Sequence, residues 1–130
     1  VVLCVSKKYR RGGMQMLSAE LLSFIVGNLI IKNMVDRLRP CQIDETVSLI
    51  VKIPFDSSFP SGHTLNGITA AVTLMFIDKR MGIPAIVLAV LIAFSRMYNF
   101  MHFPTDVLAG AVLGVVSAVF VNFLFKRAGN

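Results

Sequence analysis

The sequence predicts an all-α, integral-membrane helical bundle. Three observations support this fold class: a composition poor in charge, four long apolar segments, and basic stretches that alternate with those segments. The chain of 130 residues is 55% hydrophobic and 15% charged, whereas a soluble domain usually carries about 25% charged residues. Its mean hydropathy is +0.73. Because soluble all-helical cores can also be rich in Leu and Ala, the segments decide between the two classes.

Four apolar segments are predicted to cross the membrane as helices. They cover residues 14–31, 61–77, 83–95 and 107–125. A bilayer core of about 30 Å needs roughly 20 helical residues. The first and last segments meet that length directly, and the middle two meet it when their polar ends lie in the interface.

Short basic stretches predict the orientation of these helices. Eight of the thirteen Lys and Arg residues lie in 6–13, 78–82 and 126–130, and the order of the segments places all three stretches on one membrane face. By the positive-inside rule that face is cytoplasmic. The loop 32–60 and the turn 100–104 then lie on the extracytoplasmic face of a cell membrane. The net charge of +6 therefore calls for no nucleic-acid partner.

The N-terminus and the cysteines give two further expectations. The chain begins with VVLCV and no initiating Met. This apolar run is typical of the tail of an earlier spanning helix, so we expect an N-terminal truncation of a single membrane domain over 1–130. Cys4 and Cys41 are expected at opposite membrane faces, which disfavours a disulfide, and their spacing does not indicate a metal site.

The predicted extracytoplasmic loops hold three clusters of polar residues, and three of their cations are candidates for one site. Lys32 and Arg39 lie in the first cluster, KNMVDRLRP, and Arg96 lies in the third. Such a set favours an anion, and guanidinium groups suit bidentate binding of phosphate. Asp36 and Arg37, inside the first cluster, are interpreted as loop or interface residues.

The second cluster is PSGH, at the start of a predicted helix. We expect Ser61 to cap this helix and Gly62 to let the backbone approach a ligand, since free N–H groups at a helix N-terminus bind phosphate oxygens. His63 supplies an imidazole that can protonate a leaving oxygen.

The third cluster is SRMYNFMHFPTD, residues 95–106. His102 and Asp106 are four residues apart, with Pro104 at a predicted first helical position, so the carboxylate is expected to reach one imidazole nitrogen. A carboxylate that holds one nitrogen leaves the other as an unprotonated nucleophile or base. Two histidines, three cations and a helix N-terminus together indicate phosphoryl transfer through a phosphohistidine.

Each feature alone has an ordinary structural explanation. A single Arg or Lys near a helix end extends to the interface, a single histidine packs there, and PSGH is a common helix start. The combination favours function, because ionisable residues at membrane depth are costly and tend to mark functional sites.

Taken together, the three clusters resemble the signature of the type 2 phosphatidic acid phosphatase (PAP2) superfamily, in its order and spacing. The matching stretches are Lys32-x6-Arg39-Pro40, Pro60-Ser61-Gly62-His63 and Ser95-Arg96-x5-His102-x3-Asp106. The flanking helices resemble the membrane-bound bacterial branch, and the hydropathy argues against the soluble branch with the vanadium haloperoxidases. Since bacterial membrane members usually have six spanning helices, the resemblance implies the C-terminal part of that fold.

The resemblance also implies a role for each matching residue. His102 would be the nucleophile, Asp106 its orienting partner and His63 the general acid. Five residues would hold the phosphoryl oxygens: Lys32, Arg39, Ser61, Gly62 and Arg96. The family implies no metal or other cofactor.

The sequence thus predicts a lipid phosphatase that acts on phosphatidate, a phosphatidylglycerol phosphate or a polyprenyl diphosphate among membrane lipids. Two alternatives stay open: a membrane protein that binds or transports lipid phosphates without catalysis, and an inactive fragment of the enzyme. The paired histidines favour the enzyme.

Other residues lead to structural expectations. Gly110 and Gly114 form a small-residue face that suits packing inside the bundle or a homodimer contact. Glu20, in the middle of a predicted helix, needs a polar or buried partner. Several polar residues of the outer loop are interpreted as solvated, with a head-group contact as the alternative: Cys41, Asp44, Glu45, Lys52 and Asp56.

Overall fold

The computed structural model describes residues 9–43 and 56–128. These two ranges hold five helices: α1 (Arg10–Met34), α2 (Pro40–Ile43), α3 (Gly62–Ile77), α4 (Lys79–Tyr98) and α5 (Pro104–Arg127). No strand occurs within them. The predicted all-α fold class is confirmed.

Some sequence expectations fall outside the described residues. They concern the apolar N-terminal run with Cys4, and three side chains of the outer loop: Asp44, Glu45 and Lys52.

All four predicted apolar segments are helical, and three are long enough to cross a membrane. The helices α1, α4 and α5 contain 25, 20 and 24 residues. With 16 residues and a rise of about 1.5 Å per residue, α3 is shorter than the bilayer core. The helix α3 ends at Ile77, and the next residue, Asp78, caps α4. The side chain of Asp78 accepts a hydrogen bond from the backbone N–H of Arg80 at 2.9 Å.

The helix α3 lies at the centre of the bundle and packs against α1, α4 and α5. Two of its buried threonines satisfy their hydroxyls within the helix: Thr69 Oγ1 donates to the carbonyl of Leu65 at 2.8 Å, and Thr73 Oγ1 to that of Thr69 at 2.7 Å. Such local bonds let polar side chains lie between helices.

Successive long helices run in opposite directions. The residues at the two ends of the bundle differ in chemistry. At one end Arg11 of α1 donates a hydrogen bond to the carbonyl of Phe125 in α5. At the other end α1 finishes near the start of α3, and the backbone N–H of Ser61 donates to the carbonyl of Asp106 at 3.0 Å. The three predicted clusters meet at this second end.

The face formed by Gly110 and Gly114 packs inside the bundle. A Cβ on Gly110 would lie 2.7 Å from the carbonyl oxygen of Ser61, and one on Gly114 would lie 2.8 Å from that of Leu65. Both glycines therefore let the backbone of α5 approach α3 directly.

We expect Gly110→Ala to destabilise the protein, because the added methyl group meets backbone atoms that cannot rotate away. Overpacking of this kind costs about 1–3 kcal/mol, which corresponds to a loss of several degrees in Tm, measured by thermal unfolding in detergent. Gly67→Ala is the matched control, because its Cβ would meet Ala89 at an ordinary 3.6 Å. Equal Tm values for the two variants would contradict the close approach.

Glu20 lies in α1 with its Oε1 buried. This atom finds no hydrogen-bond partner within residues 9–43 and 56–128. The polar partner expected from the sequence is therefore not seen in this part of the chain.

Candidate active site

A cavity of about 460 Å³ opens where α1 and α4 end and where α3 and α5 begin. Its lining includes six of the eight predicted site residues: Lys32, Arg39, Gly62, His63, Arg96 and His102. The other two, Ser61 and Asp106, are fully buried beside it. The structure therefore brings together side chains that lie up to 74 residues apart in the chain, from Lys32 to Asp106.

Arg39 is the most firmly held cation of the cavity, with only 2% of its surface exposed. Its Nη1 donates to the carbonyl of Met101 at 3.0 Å and lies 3.2 Å from Nε2 of His102. Its Nη2 forms an ion pair with Asp56 at 2.7 Å. A buried guanidinium is thus fixed directly beside an imidazole nitrogen.

Lys32 approaches the same carboxylate from the end of α1. Its Nζ lies 2.5 Å from Oδ2 of Asp56. Partial burial alone would raise the pKa of Asp56, but the hydrogen bonds and charges of Lys32 and Arg39 outweigh it and lower this pKa below its usual value. Asp56, interpreted from sequence as a solvated loop residue, is instead an ionised part of the cavity.

Arg96 provides the third cation, from the last turn of α4. Its Nε is buried and finds no hydrogen-bond partner among the residues that the structure describes. A buried donor without a partner is unfavourable, so this side chain is suited to an anionic ligand in the cavity.

The start of α3 differs from the sequence expectation in one respect. Ser61 is the N-cap residue, but its side chain forms no capping hydrogen bond; its Oγ lies 3.0 Å from Oγ1 of Thr64 instead. A Cβ on Gly62 would lie 2.9 Å from Oδ1 of Asn28 in α1. Gly62 therefore permits a close helix contact, while the exposed side chain of His63 lines the cavity.

His102 is held by the turn between α4 and α5. In this turn Phe100 has a positive φ of 54°, a conformation uncommon outside glycine. The Nδ1 atom of His102 lies 2.7 Å from the carbonyl oxygen of Ser58. Because a carbonyl only accepts, Nδ1 carries the proton, and Nε2 presents its lone pair towards Arg39 and the cavity.

Asp106 acts on this imidazole through Ser58. Its Oδ2 lies 3.8 Å from Nδ1 of His102, too far for the direct hydrogen bond expected from the four-residue spacing. Instead Oδ2 accepts hydrogen bonds from Oγ of Ser58 at 2.6 Å and from the backbone N–H of Phe103 at 2.9 Å. The carboxylate therefore fixes both the turn that carries His102 and the residue that binds its ring.

Arg37 is part of the same network, which corrects its interpretation as a loop or interface residue. Its Nη1 donates to Oδ1 of Asp106 at 2.7 Å and to Oγ1 of Thr105 at 2.8 Å, and its guanidinium stacks 4.2 Å from the ring centre of Phe103. Residues 35–39 are not helical, and the backbone N–H of Arg37 donates to the carbonyl of Val35 at 2.9 Å. The charge of Arg37 inside the first cluster was the signal in the sequence that could have indicated its role.

Burial lowers the pKa of His102 to about 4, and the charge of Arg39 acts in the same direction. The hydrogen bond to Ser58 and the carboxylate of Asp106 act in the opposite direction, but they do not cancel the lowering of the pKa by burial and Arg39. At neutral pH the imidazole is uncharged, which is the form that a nucleophile needs.

The chain is similar to known proteins over most of its length. Residues 12–129 match the sequence profile of the PAP2 superfamily. An undecaprenyl-diphosphatase from Sulfolobus acidocaldarius is 36% identical over 114 residues, which are 87% of this chain and 55% of that protein. A bacitracin transport permease protein from Bacillus licheniformis is 35% identical over 103 residues, 79% of this chain and 48% of that protein.

A solved structure is similar as well. It is a transmembrane PAP2-type phosphatidylglycerolphosphate phosphatase from Bacillus subtilis, with a TM-score of 0.73 and 29% sequence identity. The similarity covers 88% of this chain and 59% of that one. The chain therefore spans about half the length of the curated relatives it matches and somewhat more of the solved one.

Proposed function

Because this chain belongs to the PAP2 superfamily and is a multi-pass membrane protein, we propose that it is a lipid phosphatase. The observation that carries the proposal is the environment of Nε2 of His102. This unprotonated nitrogen lies beside the cavity, 3.2 Å from Nη1 of Arg39, where Lys32 and Arg96 also point their charges. A neutral nucleophile in a cationic cavity is suited to attack on a phosphoryl group.

In the proposed reaction Nε2 of His102 attacks phosphorus. The new P–N bond forms as the bond from phosphorus to the lipid oxygen breaks, and His63 donates a proton to that leaving oxygen. Water then attacks the phosphohistidine, His63 takes up a proton, and inorganic phosphate is released as the P–N bond breaks. The three cations, with Ser61 and Gly62 at the start of α3, hold the phosphoryl oxygens, because catalysis of phosphoryl transfer depends mainly on positioning and charge.

The proposed substrates are a lipid phosphate or diphosphate, since the relatives' names include an undecaprenyl-diphosphatase and a phosphatidylglycerolphosphate phosphatase.

The cavity lies at the end of the bundle opposite Arg11, and Arg11 belongs to a basic stretch that the positive-inside rule places in the cytoplasm. We therefore place the site at the extracytoplasmic face of the cell membrane, within a single membrane domain. With Gly110 and Gly114 packed against α3, the proposal needs no dimer through that face.

The alternative is a protein that binds or transports lipid phosphates, and one relative bears the name of a transport permease protein. A binder needs the three cations but has no need of a neutral imidazole whose tautomer is fixed by Ser58.

The experiment that separates the two functions is an assay of phosphate release. The protein, purified in detergent with added lipid, is to be incubated with phosphatidate, phosphatidylglycerol phosphate and a polyprenyl diphosphate. Release of inorganic phosphate supports the enzyme, whereas binding of these lipids without release supports the alternative.

The protonation of His102 can be followed directly, and we expect its ring to stay neutral until the pH falls through about 4. Since its pKa is lowered, the neutral form exists above that value and is lost below it. The measurement is an NMR titration of the imidazole carbons. The chain has two histidines, so His63→Ala assigns the signals. A midpoint near the ordinary value of 6.5, with the helical circular dichroism unchanged, would contradict the proposed environment.

A further inference from the structure

Among the described residues that line the cavity, Asp56 is the one carboxylate, and the signature does not account for it. Its two oxygens are divided between two cations: Oδ1 lies 2.7 Å from Nη2 of Arg39 and Oδ2 lies 2.5 Å from Nζ of Lys32. A phosphoryl group presents its oxygens to cations in the same bridging manner. The carboxylate therefore uses the donors that the proposed substrate requires.

The two sides of this contact differ in their freedom to move. The side chains of Lys32 and Arg39 are 10% and 2% exposed, whereas that of Asp56 is 51% exposed. Arg39 is also fixed by the carbonyl of Met101. When the contact opens, the half-exposed carboxylate of Asp56 can turn into water, while Arg39 stays bound to the backbone carbonyls of Met101 and Asp56.

We propose that Asp56 is an exchangeable internal counterion, which competes with phosphate for Lys32 and Arg39 and recovers them when phosphate leaves. The inference rests on the proposed function, in that the competing anion is the phosphoryl group of the substrate or the phosphate released from it. Without Asp56, Lys32 and Arg39 would face the product with no opposing charge from the residues that the structure describes, and would retain it. With Asp56, the phosphate oxygens that leave these two cations are replaced by its two carboxylate oxygens.

The exchange predicts the effect of Asp56→Asn on binding of inorganic phosphate. The substitution keeps the shape of the side chain and removes the competing charge, so the Kd for phosphate is expected to fall by about tenfold; this allows for screening of a half-exposed group. The measurement is isothermal titration of the purified protein with inorganic phosphate in detergent. Phosphate is also expected to raise the Tm of the variant more than that of the unchanged protein, because it restores a partner to two buried cations.

Two substitutions serve as controls. Asp36→Asn makes the same chemical change at an exposed position outside the cavity and is expected to leave the Kd unchanged. Asp56→Glu keeps the charge and is expected to bind phosphate nearly as the unchanged protein does. If Asp56→Asn does not fold, Asp56→Ala provides the same comparison.

A Kd that is unchanged or higher in the charge-removing variant, with cooperative unfolding retained, would overturn the proposal. A higher Kd would mean that Asp56 positions the cations for phosphate rather than competing for them. Phosphate binding is measured without turnover, so the two proposals fail separately. A protein that binds phosphate as expected but hydrolyses no lipid loses the proposed function alone, and one that hydrolyses lipid with an unchanged Kd loses only the counterion.

Discussion

Replacement of His102 by alanine is expected to reduce phosphate release by on the order of 10⁴-fold or more, because removal of a covalent nucleophile leaves only the contribution of binding and charge. The pocket should keep its affinity for phosphate, since Arg39 is held by the backbone carbonyls of Met101 and Asp56 as well as lying near the imidazole. The loss should therefore appear in kcat and not in the Kd for inorganic phosphate. Both quantities can be measured on the same detergent-purified protein.

His63→Ala is the informative comparison for this result. It removes the other imidazole of the cavity, which is exposed and which is proposed to protonate the leaving oxygen. General acid catalysis contributes about 10²–10⁴-fold, so this variant should retain measurable turnover and should form a phosphorylated intermediate that can be trapped on His102. Turnover by His102→Ala at the rate of the unchanged protein would exclude the covalent mechanism.

The spacing of apolar segments predicted the bundle well, because hydropathy and helix length are local properties of the sequence. The predicted 107–125 corresponds to α5, Pro104–Arg127, which starts at Pro104 as expected. The predicted 83–95 proved to be the interior of α4, Lys79–Tyr98. The helix α4 begins earlier, at Lys79, with a polar first turn that Asp78 caps. Hydropathy does not reveal such a cap.

The candidate site was predictable where its residues carry unusual chemistry for a membrane segment, and less so where ordinary residues act by position. Lys32, Arg39, Arg96, His63 and His102 stand out by charge or type, and all of them line one cavity. Ser58 does not stand out, because its contribution is a backbone carbonyl and a hydroxyl brought to His102 from 44 positions away in the chain. No pattern within the segment indicates such a contact.

The four-residue spacing of His102 and Asp106 led to a wrong prediction of a direct hydrogen bond between the carboxylate and the imidazole, for a physical reason. The pair straddles the start of α5 at Pro104, so the two residues do not lie on successive turns of one helix, where this spacing brings side chains together. Asp106 turns back instead to the backbone N–H of Phe103, the residue before α5, and its other oxygen accepts a hydrogen bond from Arg37.

The second large effect is expected from Asp106→Asn, with a loss of about 10²–10³-fold in kcat. The carboxylate accepts from Arg37 on one oxygen and from Ser58 and Phe103 on the other. An asparagine offers a donor in place of one of these oxygens, so it meets either Arg37 or the other two donors with its own N–H groups. One side of the network must open: either Arg37 loses its acceptor, or Ser58 loses the contact that holds it against Nδ1 of His102.

A pH profile separates this positioning role from a general loss of stability. The charge of Asp106 raises the pKa of His102 against the effects of burial and Arg39, so its removal should move the acidic limb of kcat/KM to lower pH. The ionisation of the substrate is common to all variants and cancels in the comparison. Asp36→Asn is the matched control, exposed and outside the network, with an expected profile like that of the unchanged protein. An acidic limb that stays in place while only Tm falls would mean that Asp106 supports the fold and leaves the imidazole unaffected.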